Sequence, residues 1–219
     1  LIGKADDIKP FLVHKETVCH YSPVLRAAFI SDSVEGQAQT YRLEDTSEGA
    51  FRFFAQWIHH QRFELDYHKD AAEKQQDSEE DPDCGCGGHL ACKNQMESLV
   101  QLWILAEKLL VPQLQNRVID VLCRLNRRCR YTPENYDLVY SETSEGHPLR
   151  RFIIDQALWR EIPDYKADFR AELPHDMAVD MLRKLFGMSD EQIDVNRKKW
   201  LVMEAEDYYV NGSRKLLCE

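Results

Sequence analysis

Six apolar residues, Leu99, Leu102, Trp103, Ala106, Leu109 and Leu110, recur at steps of three and four along the chain. Five more, Leu114, Val118, Val121, Leu122 and Leu125, do the same after Pro112. Residues so spaced share one face of an α-helix. Proline ends a helix but fits the first turn of the next. The pattern predicts two consecutive amphipathic helices, packed as a hairpin or at a steep angle across Pro112. Any fold open to this chain must bury both stripes.

A third apolar face lies upstream. Ala50, Phe51, Phe54, Trp57 and Ile58 recur at helical spacing after a start signal at Thr46 or Ser47, on a helix ending near His60. Ser22-Pro23 starts another helix, because serine caps free amides and proline lacks the amide that the first turn leaves unpaired. Its stripe pairs Val24 with Ala28 and Leu25 with Phe29. Downstream, Thr132-Pro133 opens a helix through Tyr136, Val139 and Tyr140. Leu149 to Leu158 forms the next, and Pro174 opens one through Met177, Met181, Leu182 and Leu185. Ser189 and Gln192 make a capping-box pattern for a last helix. Three short segments read as strands: Phe11-Leu12-Val13, Thr40-Tyr41-Arg42-Leu43, and an edge at Phe63-Glu64-Leu65. There is no internal repeat.

Charge divides the chain. Its formal net charge is −10 over 219 residues. Residues 64–83 hold nine acids and two bases, a balance of −7, which leaves −3 for all the rest. Residues 68–95 also carry Pro82, Gly85, Gly87 and Gly88 and almost no large apolar side chain, so they read as a disordered insertion. The acidity argues against a nucleic-acid binder, which needs a basic face. The basic cluster Arg117, Arg124, Arg127, Arg128 and Arg130 sits near a helix C-terminus, where the dipole favours cations. No apolar run approaches the roughly 20 residues needed to cross a bilayer. Leu1 to Pro10 carries four charged residues, so no signal peptide is expected there, and the absence of an initiator Met suggests a trimmed chain. Seven cysteines without a regular framework suggest free thiols and an intracellular setting, cytoplasmic or nuclear.

Catalytic motifs are missing. None of the eight histidines has zinc-protease spacing, no serine sits in a Gly-x-Ser-x-Gly elbow, and no glycine run has the phosphate-loop form. Cys19 and His20 are sequence neighbours on a short helix, so their side chains diverge. One cluster has metal-ligand chemistry: Cys84, Cys86, His89 and Cys92, three thiols and an imidazole within nine residues. Zinc there is the alternative to a loop with incidental cysteines; otherwise no cofactor is expected. The chain reads as a non-enzyme.

Phe11-Leu12-Val13-His14-Lys15, followed by Ser22-Pro23-Val24-Leu25-Arg26-Ala27-Ala28-Phe29, resembles the early segment of the BTB/POZ domain. Ala50 to Ile58, with Phe51, Phe54 and Trp57, looks like that family's aromatic helix. Trp103-Ile104-Leu105-Ala106-Glu107-Lys108-Leu109 and Leu114-Gln115-Asn116 look like its closing hairpin. The version is similar to single-domain BTB proteins of filamentous fungi. The resemblance implies an α+β fold: a BTB/POZ core of short strands wrapped by helices over residues 1–126, with the insertion inside it and a helical C-terminal extension over 127–219. Phe11, Val13, His14, Ser22, Phe51, Phe54, Trp57, Trp103 and Ala106 would be its core motif. It also implies a protein–protein interaction module, a scaffold or adaptor with partner contacts at Phe29, Val34 and Glu35. Self-association and binding to a cullin-type ubiquitin-ligase scaffold are the partners it suggests, with neither nucleic acid nor membrane.

Overall fold

The computed structural model describes residues 1–3, 8–65, 89–128, 135–159, 173–200 and 204–210. Helix α5 (His89–Lys108) is the axis of the fold. From Leu99 to Ala106 every residue but Gln101 is buried, so this helix is apolar on nearly all sides and must be enclosed. Helix α4 (Glu48–His60) and helix α6 (Pro112–Arg128) supply most of the cover. Leu114, Val118, Val121, Leu122 and Leu125 are all 1% exposed or less, as their spacing requires. Helix α5 begins at His89, inside the segment read as an insertion.

The turn between α5 and α6 departs from the simple stripe. Val111 donates to the Ala106 carbonyl at 2.8 Å, and Leu110 sits at φ 54°. That is a C-terminal cap of the kind glycine usually makes. It turns Leu110 outward to 60% exposure, although its spacing placed it on the apolar face.

Three shorter helices precede α4: α1 (Lys15–Tyr21), α2 (Pro23–Ile30) and α3 (Val34–Ala38). Serine starts three of these four helices. Ser22, Ser33 and Ser47 each accept a hydrogen bond from the amide three residues on. At the α4–α5 crossing, Gly49 allows close approach, since a Cβ there would meet Ser98 Oγ at 2.4 Å.

The C-terminal half packs onto the same core. Helix α7 (Tyr136–Glu142) touches α5 and α8 (Pro148–Trp159), and α9 (His175–Phe186) and α10 (Asp190–Trp200) lie against α8. Ser189 and Gln192 form the reciprocal capping box at the start of α10, with bonds of 2.9 and 3.3 Å. A strap of residues 204–210, containing a 3-10 turn at Ala205–Tyr208, crosses α6 and α8. One hydrophobic cluster runs from Ile2 through α4, α5, α6 and α8 to Tyr208.

The expected α+β core is not present. The described residues are 70% helical and 2% strand, with no sheet. Phe11–Val13, Thr40–Arg42 and Phe63–Leu65 have no strand pairing. Their place is taken by two isolated bridges, Ile2 to Lys9 antiparallel and Ile2 to Leu43 parallel. Phe11 and Val13 turn inward and Leu12 outward, so the period-two pattern is satisfied. The inward side chains rest on helices, and Pro10 has no amide to extend the ladder beyond Lys9. Alternation reports burial of one face, not the presence of a neighbouring strand.

Candidate interaction surface

The N-terminal segment and the α1–α3 region enclose an open groove of about 340 Å³. Its walls include Phe11, Leu12, Val13, Phe29, Tyr41 and Leu43, and its floor includes Val18, Leu25, Phe51 and Phe54. The aromatic walls brace one another. Phe11 lies 4.9 Å from Phe51, Phe51 lies 5.4 Å from Phe54, and Phe29 lies 6.4 Å from Tyr41, measured between ring centroids. Ile2 ties the segments together: its amide donates to Lys9 O at 3.0 Å, and its carbonyl accepts from Lys9 N at 2.8 Å.

Large apolar side chains stand out at this end of the molecule. Leu12 is fully exposed, Val34 is 78% exposed and Ile30 is 69% exposed. Leu12 lines the groove, Ile30 follows Phe29 at the end of α2, and Val34 opens α3. Helix α3 is presented by a close contact. A Cβ on Gly36 would lie 1.9 Å from the Ser31 carbonyl oxygen, so glycine is needed for α3 to pack against the end of α2. Glu35 is fully exposed, and hydrogen bonds from its own backbone amide and from Ser33 hold its carboxyl below the usual range.

The residues singled out in the sequence fall into three environments. Phe29 lines the groove while Val34 and Glu35 project from α3, so the three share one end of the molecule. Phe51, Phe54, Trp57, Trp103 and Ala106 are buried in the helical core. Ser22 is completely buried and donates to the Leu109 carbonyl at 2.8 Å. Phe11 and Val13 are half-buried, whereas His14 is exposed, with its ring edge-on to His59 at 5.7 Å. Cys84 and Cys86 lie outside the described residues, as do the side chains of His89 and Cys92, whose backbone opens α5. Among the described residues no three His, Cys, Asp or Glu side chains converge as metal ligands, and Cys19 and Cys123 are not joined in a disulfide. No described helix is long and apolar enough to cross a membrane.

A second polar centre was not anticipated. Asp155, on the apolar helix α8, is 9% exposed and accepts from Trp159 Nε1 and from the Tyr208 hydroxyl, each at 2.8 Å. It also pairs with Lys184 of α9. Burial, then the nearby Asp155 charge, push the Tyr208 hydroxyl far above its ordinary pKa. The signal available in the sequence was one acid inside the run Phe152-Ile153-Ile154-Asp155-Gln156-Ala157. Leu12 and Ile30 were equally missed as surface residues, because spacing alone does not say which apolar side chains lack a neighbour.

No protein-family model matches this chain, and neither does any curated protein or solved structure.

Proposed function

We propose that this chain is a protein–protein interaction module, a scaffold or adaptor that performs no chemistry of its own. A second copy of the chain is the first partner for its N-terminal groove. The observation that carries this reading is the open apolar groove with the fully exposed Leu12 in its lining. Contiguous exposed apolar surface on a folded chain marks interaction sites. Aromatic walls already braced by one another lose little side-chain freedom when a partner arrives. The resemblance of the helical motifs to BTB/POZ modules supports an interaction role without the sheet it implied. Cys19 and Cys123, neither in a disulfide among the described residues, fit an intracellular setting.

A cullin-type scaffold is the second reading, favoured by the projection of Val34 and Glu35 from α3. Leu12→Asp and Val34→Asp, both at exposed positions, separate the two readings. Under the first, Leu12→Asp abolishes self-association. Under the second, Val34→Asp abolishes binding to a purified cullin N-terminal region and leaves self-association intact. If the native chain neither self-associates nor binds the cullin region, both readings fail.

A further inference from the structure

Two histidines from different elements meet beside the groove. His14 follows Phe11–Val13 and takes the N-cap position of α1, where its side chain makes no capping bond. Its carbonyl accepts from Val18 N at 3.1 Å, which fixes its backbone to α1. His59 lies in the last turn of α4, closed by Gln61 N donating to the Trp57 carbonyl at 2.8 Å. Helix α1 packs on α4, and the two ring centres stand 5.7 Å apart. Both side chains are exposed, and neither imidazole makes a hydrogen bond or ion pair among the described residues.

That separation suits one shared ion. A ring nitrogen binds zinc at about 2.0–2.1 Å, which puts each ring centre about 3.2 Å from the ion and two such centres between about 5 and 6.4 Å apart. A neutral imidazole with no hydrogen bond keeps the lone pair of its bare nitrogen for a metal. Imidazole suits zinc, copper and nickel, whereas magnesium and calcium take oxygen. His60, one residue further along α4, projects about 100° away from His59. No third His, Cys, Asp or Glu joins the pair among the described residues. Two protein ligands leave the other positions to water, so the ion exchanges with solvent and is no permanent part of the fold.

We propose that His14 and His59 together bind a zinc ion. The ion pins the Phe11–Val13 wall of the groove to α4, whose Phe51 and Phe54 form part of its floor. Zinc thereby sets how far the groove can open. That consequence rests on the interaction-module reading, whereas zinc binding itself does not, so either can fail alone.

The test is thermal unfolding of the full chain, freed of metal by a chelator and then titrated with zinc chloride. The midpoint should rise and saturate, by about 5–10 °C once zinc reaches roughly a hundred times its Kd. Magnesium chloride at the same concentration should leave it unchanged. His14→Gln and His59→Gln should each remove the rise. His20→Gln and His60→Gln, at exposed positions on the same two helices, should keep it. Each variant is compared with itself with and without zinc, so a change in its own stability does not enter the result. No rise in the native chain would overturn the proposal, as would a rise that survives His14→Gln or His59→Gln. A rise lost in Cys86→Ser and kept in both histidine variants would place the zinc at the cysteine cluster instead. A rise that grows with protein concentration would place it between two copies, and would equally overturn the site described.

Discussion

Ser22 joins segments 87 positions apart, accepting from Leu25 N at 3.1 Å while donating to the carbonyl of Leu109, just beyond the end of α5, at 2.8 Å. Ser22→Ala removes a helix cap and leaves a buried carbonyl without its donor. A loss of about 1–3 kcal/mol is expected in urea unfolding. A loss near zero would mean that water or another donor replaces the hydroxyl. Half of this role was legible: Ser-Pro announced the cap, but no local pattern announces a bond to Leu109. Phe54 is fully buried and Trp57 is 3% exposed, with the Trp57 ring 4.9 Å from Tyr21. Phe54→Ala and Trp57→Ala should each destabilise by roughly 3–5 kcal/mol, because α4 cannot collapse into the space left against α5. Urea midpoints close to native for either variant would remove α4 from the core. Here spacing sufficed, since every residue of the stripe points one way.

Leu110 shows how the end of an element is decided by more than spacing. Its positive φ is strained for a side chain with a Cβ, and its 60% exposure means little burial is lost on truncation. Leu110→Gly should therefore stabilise the chain by up to about 1 kcal/mol. A lower melting temperature would show that the leucine side chain matters more than the backbone conformation. The strap gives a prediction in pH. The Tyr208 and Tyr209 hydroxyls are both raised well above 10.0, first by burial and then by their carboxylate partners. In the unfolded chain they ionise earlier than in the fold. Their contribution is thus complete below pH 10 and is lost as pH rises past that value. Stability measured in urea should fall steeply above about pH 10, and less steeply in Tyr208→Phe with Tyr209→Phe. Identical pH profiles would mean that the strap is not coupled to global unfolding. Nothing local in Glu-Asp-Tyr-Tyr-Val says that this segment crosses α6; the partners Asp120 and Asp155 are 89 and 53 residues away.

At the scale of the molecule, the helical core was readable because α4, α5 and α6 each carry a full stripe, and together the stripes enclose one another. The sheet was misread. Phe11–Val13 and Thr40–Leu43 alternate as strands do, and the BTB/POZ resemblance supplied a sheet for them, but a segment lying over helices needs the same alternation. Among the described residues, burial by helices leaves only Ile2 to bridge Lys9 and Leu43. The groove arises where these non-helical segments cover the helices incompletely, so its apolar rim is a property of the assembled end of the molecule and not of any one motif. Its role as a contact face is tested most directly by sedimentation velocity across a wide concentration range, comparing the native chain with Leu12→Asp. The native chain should shift towards the mass of two copies as concentration rises, while Leu12→Asp keeps the mass of one. A native chain that stays a monomer throughout, or a variant that associates equally well, would contradict the proposed role of the groove in self-association.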